Sequence, residues 1–262
     1  METITSKANP LCVHLRKLAA SRSYREETGE FLCDSPKLLR EAVQWGAPIR
    51  ALLYTKGTEL PPGLEVPRLA EVSEAVMRSV SLMETPQGAV FSCASPDYAP
   101  PERLEPDERG RLRFLALDGV QDPGNVGTIL RTADAFGARV ILLPGCADLN
   151  NPKTLRAGMG VHFRTSIYRC ALEELTALLR GADLPLYGAA LREDTADVRA
   201  VDLRRCAVAV GSEGRGLSAA VLAVCDRTIR IPMDPRCESL NAASAASVLL
   251  WEAARGEGEE EY

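Results

Sequence analysis

The chain has no apolar run approaching the about 18 residues that span a bilayer. Its first seven residues, Met1-Glu2-Thr3-Ile4-Thr5-Ser6-Lys7, contain no apolar stretch of the secretory kind. It has only two histidines, His14 and His162, and none of its eight cysteines forms a Cys-x-x-Cys pair. Metal-site spacing is therefore missing, and no metal is expected. No Gly-x-Gly-x-x-Gly occurs, which argues against a conventional dinucleotide fold. No internal repeat is found. Together these absences predict a cytoplasmic protein without a membrane partner. Its thiols should be reduced and several of them buried, as in Cys206-Ala-Val-Ala-Val210.

What is present is an ordinary globular composition, 46% hydrophobic and 26% charged over 262 residues. That length suits one large domain or two modest ones. The net charge of -5 looks unfavourable for nucleic acid, but its distribution matters more. Residues 95–110 hold five acids and two bases, and residues 251–262 hold five acids and one base. The rest of the chain is slightly basic. The two acidic stretches read as a linker and a solvated tail, leaving room for a local basic patch.

The four prolines and seven charges of residues 95–110 show no periodicity, as in an interdomain linker. Before it, residues 1–94 alternate helix and strand signals: helices over 10–20, 36–43 and 72–80, strands over 30–33, 49–54 and 89–93. This predicts a small α/β sandwich. Ser35-Pro36 reads as an N-cap followed by the first helical residue. Arg16, Lys17 and Arg22 flank the first helix as candidate RNA contacts. After the linker, residues 111–256 repeat strand then helix, with short apolar strands such as Phe114-Leu-Ala-Leu117. That pattern predicts a mainly parallel sheet covered on both faces. Residues 257–262 form the acidic tail.

Three segments of this second block stand where a strand run meets a helix run. The first is Asp118-Gly-Val-Gln-Asp-Pro-Gly-Asn125-Val-Gly127, followed by Arg131. The second is Gly211-Ser-Glu213-Gly-Arg-Gly-Leu217. The third is Ile231-Pro-Met233, then Glu238-Ser239-Leu240-Asn241. Such turns expose backbone N–H groups and polar side chains at the carboxyl edge of an α/β sheet. Asn125 is placed either to cap a helix or to bind a ligand. With a helix over 126–136, Arg131 would sit in the first two turns, where a cation opposes the macrodipole and an anion would relieve it. Glu213 is a structural hydrogen-bond partner or an active-site carboxylate. Ser239 is a reasonable N-cap for the last, Ala/Ser-rich helix.

Taken together and in order, these segments make residues 112–254 resemble the SpoU (TrmH) branch of the SPOUT RNA 2'-O-methyltransferases. Residues 1–94 resemble the substrate-binding domain that many members carry, similar to a ribosomal-protein L30e-type fold. The stretches that carry this likeness are Phe31-Leu-Cys-Asp34, Ser35-Pro-Lys-Leu-Leu39 and Ser81-Leu-Met-Glu-Thr-Pro-Gln-Gly-Ala-Val90. Ser35 departs from the Gly of many relatives. The resemblance implies an α/β domain with a deep trefoil knot, working as a homodimer. It implies S-adenosylmethionine as cofactor, contacted by Gly211, Ile231 and Leu240. It implies a catalytic set of Arg131, Asn125, Glu213, Ser239 and Asn241, with Lys153 and Arg156 near RNA phosphate. The implied reaction is methyl transfer to a ribose 2'-hydroxyl, with ribosomal RNA of the large subunit as the expected substrate. Transfer RNA is the alternative substrate. A catalytically silent RNA-binding or ribosome-assembly factor is the alternative class.

Overall fold

A computed structural model describes residues 2–192 and 194–255. The acidic tail expected at 257–262 lies outside the described residues. Packing divides the chain into two compact units. The first comprises residues 1–97 and 148–164, the second 98–147 and 165–262.

In the first unit the elements are β1 (Glu2–Ile4), α1 (Pro10–Ala20), α2 (Arg22–Thr28), β2 (Glu30–Asp34), α3 (Pro36–Gln44), β3 (Ile49–Thr55), β4 (Arg68–Val72), α4 (Glu74–Val80) and β5 (Ala89–Ala94). The five strands form one sheet in the order β1-β4-β3-β5-β2. β1, β4 and β3 are parallel, and β5 runs antiparallel to β3 and β2. Local sequence explains the helix starts. Asn9 accepts from the Leu11 N–H at 2.8 Å ahead of Pro10, and Ser35 accepts from the Leu38 N–H at 3.2 Å ahead of Pro36. Leu11, Leu15 and Leu18 then line the buried face of α1.

The helix expected over 72–80 is shorter than the sequence reading. Ser73 caps it, accepting from Val76 N–H at 3.4 Å, and Val72 instead ends the parallel strand β4. Ala70 and Val72 alternate inward on that strand, a period of two that the helical reading overran. The helix α2 and the strands β1 and β4 were not foreseen.

Residues 148–164 follow the second unit's strands in sequence yet pack with the first unit. Arg25, only 4% exposed, donates through Nη2 to Asp148 at 2.7 Å and through Nη1 to the Leu18 carbonyl at 2.6 Å. Arg164 pairs with Glu41 at 2.7 Å, and the Phe31 and Phe163 rings stack at 6.2 Å. The helix Pro152–Gly158 inserts Leu155 into the core that holds Phe31, Leu39 and Phe91. Packing therefore assigns residues 148–164 to the first unit, although in sequence they lie within the second block of 111–256.

The second unit contains β6 (Leu112–Asp118), α5 (Pro123–Ala135), β7 (Arg139–Leu142), β8 (Ile167–Arg169), α7 (Leu172–Gly181), β9 (Leu186–Ala189), β10 (Ala196–Asp197), β11 (Arg205–Gly211), α8 (Ala219–Val224), β12 (Arg227–Arg230) and α9 (Ala242–Ala254); Pro152–Gly158 is α6 in this order. Its seven strands form a wholly parallel sheet, β10-β12-β9-β11-β6-β7-β8. Both faces are covered, as parallel strands require. Phe114, Ala116, Ala207 and Ala209 meet Leu175 and Leu179 of α7 on one face. The intervening Leu115, Leu117, Val208 and Val210 are buried on the other, toward α5 and α9. Residues 95–110 hold no helix or strand, but Tyr98 and Leu104 are buried, and the Tyr98 carbonyl accepts from Arg169 N–H at 2.7 Å. All eight cysteines are free thiols. Five are buried, and burial pushes Cys206 up to about 12.

Two predictions concern the first unit. Dehydrating both charges of the Arg25–Asp148 pair costs about what their attraction returns, but removing one leaves an uncompensated buried charge. Asp148→Ala should therefore lower unfolding free energy by about 3–5 kcal/mol in urea titrations. Asp34 has its carboxyl raised above the ordinary 3.8, chiefly by burial, while it accepts from the Ser81 hydroxyl and Leu82 N–H at 2.8 and 2.6 Å. Folding thus favours its neutral form, a contribution present below the ordinary value and lost as pH rises through the raised one. Asp34→Asn keeps an acceptor oxygen. Its melting temperature should equal or exceed wild type at pH 7, with the difference shrinking toward pH 4. A difference that grows on acidification contradicts this assignment.

Candidate active site

The three polar turns lie at the carboxyl ends of β6, β11 and β12, where β11 pairs with β6 and β9 bridges β11 to β12. At the first turn Asp122 is the N-cap of α5, accepting from Asn125 N–H at 2.9 Å ahead of Pro123. Capping by Asn125, one of its two sequence readings, is thus excluded, because Asp122 already occupies that role. The Asp-Pro dipeptide was the local signal for it. Asn125's side chain turns instead to other segments. Its Nδ2 donates to Glu213 Oε1, and its Oδ1 accepts from Asn241 Nδ2 at 3.1 Å. Asn241 in turn caps α9, its Oδ1 accepting from Ala243 and Ser244 N–H at 2.9 and 3.3 Å. One hydrogen-bond chain therefore runs from Glu213 through Asn125 and Asn241 into the last helix. Ser239, expected as the cap, lies two residues ahead of it and is exposed.

The second turn is shaped by a backbone contact. Ser212 and Gly216 exchange N–H to carbonyl bonds of 3.1 and 2.8 Å, pinching the loop shut. A Cβ on Gly211 would overlap the Gly216 carbonyl and the Leu217 nitrogen, so only glycine fits there. Asp118, at the end of β6, accepts from Ser218 N–H at 2.6 Å and anchors the loop's far side.

The second and third turns border a cavity of about 370 Å³, and no residue of the first turn lines it. Gly211, Ile231 and Leu240 line it, as do Glu213 and Ser239. Its size and largely apolar wall with a few polar groups suit a small-molecule ligand. Asn125 and Asn241 join it through Glu213. Arg131 does not line it: it is the ninth of thirteen residues of α5 and is exposed. The helix begins three residues earlier than expected, so Arg131 lies beyond the first two turns and the macrodipole argument for it falls. Arg192, Arg215 and Arg230 line the cavity and were not foreseen, because no short motif distinguishes them from surface arginines.

The basic candidates lie in the first unit. Arg16 is largely committed to structure, donating to the Lys7 carbonyl at 2.9 Å and to Ser79 Oγ at 3.5 Å. Arg22 pairs with Glu26 at 2.7 Å, and Lys17 lies 5.3 Å from the Tyr24 ring centroid. Lys153 and Arg156 are exposed on α6. Among the described residues, no group of three His, Cys, Asp or Glu is placed to hold a metal ion. No described helix is long and apolar enough to cross a membrane.

A parallel sheet with a cofactor-sized cavity at its carboxyl edge, beside a carboxylate–amide–amide chain, defines an α/β ligand-binding enzyme unit. The chain belongs to the SpoU rRNA methylase family, whose profile matches residues 113–251; residues 9–90 match the MRM3-like substrate binding domain. It is 33% identical to the 23S rRNA (guanosine(2553)-2'-O)-methyltransferase RlmP of Bacillus subtilis (strain 168), over 96% of this chain and 98% of that protein. It is 32% identical to the 23S rRNA (uridine(2479)-2'-O)-methyltransferase of Streptomyces viridochromogenes, over 91% of this chain and 87% of that protein. The crystal structure of the SpoU methyltransferase AviRb from Streptomyces viridochromogenes, in complex with AdoMet, superposes with a TM-score of 0.83 at 28% identity, covering 95% of this chain and 98% of that one.

Gly211→Ala tests the loop geometry. Overpacking against fixed backbone should cost about 1–3 kcal/mol or more. The expected result is a lower melting temperature together with at least tenfold weaker S-adenosylmethionine binding by calorimetry.

Proposed function

We propose that this protein transfers the methyl group of S-adenosylmethionine to a ribose 2'-hydroxyl of 23S ribosomal RNA. The observation that carries the reading is the meeting of Asn125, Glu213 and Asn241 beside the cavity that Gly211, Ile231 and Leu240 line. The cavity's volume and mostly apolar wall fit an adenosine, and its few polar groups fit an amino-acid end. The bound cofactor supplies an electrophilic methyl on a sulfonium.

The acceptor hydroxyl is a poor nucleophile until its proton is lost or shared. The Glu213–Asn125–Asn241 chain holds its side chains in one arrangement, so they are organised before RNA arrives. Ser239, on the cavity wall, has a hydroxyl available to orient the ribose. Arg131 is the group for the developing alkoxide or its adjacent phosphate. A guanidinium with a pKa above about 12 stabilises negative charge there rather than removing a proton.

Arg131 lies outside its own cavity wall, which favours a homodimer in which a second copy completes the site. Val248 and Trp251 support this. They are 39% and 62% exposed on α9, beside α5, with Trp251 resting edge-on against Phe136 at 6.0 Å. The deep trefoil knot implied by the resemblance is part of the same reading. The first unit, with Lys153, Arg156, Lys17 and Arg22 exposed on it, would bind the ribosomal RNA. The protein would act where ribosomes are assembled, in the cytoplasm.

Arg131→Ala should lower kcat by about 10²–10³-fold with 23S ribosomal RNA and radiolabelled cofactor. Cofactor affinity should stay at the wild-type value. Near-normal turnover by the variant removes Arg131 from the reaction. Cofactor binding without methylation by the wild type would instead favour a silent ribosome-assembly factor.

A further inference from the structure

The loop from Gly211 to Leu217 carries two opposite charges, Glu213 and Arg215, and the structure uses only one of them internally. Glu213 is engaged by Asn125. Arg215 is exposed, lines the cavity, and makes no hydrogen bond or ion pair among the described residues. Two further guanidinium groups line the same cavity, but each has an acidic neighbour. Arg192 stands 3.4 Å from Asp194, and Arg230 acts electrostatically on Asp197. Glu213 is the single acid among the described lining residues. The wall thus holds three guanidinium groups, of which Arg215 is the one without an ion pair among the described residues.

The methyl donor does not account for this. It carries an ammonium and a sulfonium against one carboxylate, a net positive charge that gives an uncommitted guanidinium no overall attraction for it. The acceptor does account for it. In RNA the 2'-hydroxyl neighbours the phosphate on the 3'-oxygen of the same ribose, so a group holding that phosphate also places the reacting oxygen. Guanidinium suits this task, because its fixed fork of donors matches phosphate oxygens in pairs. The loop's construction suits it too. The Ser212–Gly216 bridge fixes the base, and the Asp118 contact to Ser218 fixes the exit. Arg215 thus projects from a rigid tip between Gly214 and Gly216, whose missing side chains leave space for a backbone to approach. A Cβ at either position would meet nothing within 4 Å.

We infer that Arg215 binds the RNA phosphate beside the target ribose and so positions the 2'-hydroxyl; this rests on the methyltransferase reading. It is a positioning residue for the acceptor, separate from the first unit's RNA surface, and of Arg131's two roles it leaves the developing alkoxide.

The test uses the full chain, a 23S ribosomal RNA transcript, and the variants Arg215→Ala, Arg215→Gln and Arg215→Lys, each checked for wild-type circular dichroism. For Arg215→Ala, KM for RNA should rise about tenfold or more, with kcat at saturating RNA within about twofold. The dependence of log affinity on log salt should become shallower by about one. Arg215→Lys should restore the salt slope and part of KM, since it keeps the charge but loses the fork. Arg215→Gln replaces Ala if that variant folds poorly, and should behave like it. S-adenosylmethionine affinity should be unchanged throughout. Unchanged KM and salt slope in a methylating protein overturn this inference alone. So does a loss of cofactor affinity that accounts for the rise in KM, which would assign Arg215 to the methyl donor. A wild type that neither binds cofactor nor methylates overturns the inference and the proposed function together.

Discussion

The site depends on one amide. Asn125 donates to Glu213 with one end of its side chain and accepts from Asn241 with the other, so it must sit between them in a single orientation. That orientation is possible only because Asp122 satisfies the N-terminus of α5. Asn241 then passes the constraint into α9 by capping it. Three strand-to-helix turns, distant in sequence, are thereby held to one geometry by hydrogen bonds that a change at any member would break.

Backbone contact sets the other half of the site. The pinch between Ser212 and Gly216 leaves no volume for a Cβ on Gly211. It also fixes which way Glu213 and Arg215 project, since only one residue separates them on a closed loop. The carboxylate is drawn into the internal network, and the guanidinium is left on the cavity rim. One short glycine-rich loop thus contributes both to internal order and to the charge presented outward. Outside this region, the Arg25–Asp148 pair shows the same economy. A buried guanidinium that also holds the Leu18 carbonyl retains residues 148–164 within the first unit.

Much of the architecture was legible in the residues. Apolar runs such as Phe114-Leu-Ala-Leu117 marked the parallel strands. Ser35-Pro36 marked a helix start, because an N-cap and a following proline act within three residues. The strand β4 escaped notice because five residues alternating inward blend into the helical pattern that follows them. The last helix was entered two residues early because Ser239 and Asn241 are both good caps, and only contacts show that Asn241 serves.

What the sequence determined by itself was everything set by local spacing: the strand and helix runs, the three polar turns and their order, and the need for glycine at tight bends. The tertiary structure alone decided which partner each polar side chain took. Asn125 meets Glu213 across 88 residues of chain and Asn241 across 116. Arg131 faces solvent while Arg215 lines the cavity, and residues 148–164 pack away from their neighbours in sequence. The physical reason is that a side chain with two acceptable hydrogen-bonding roles has no local preference strong enough to choose between them. The choice falls to whichever distant group the fold brings within about 3 Å.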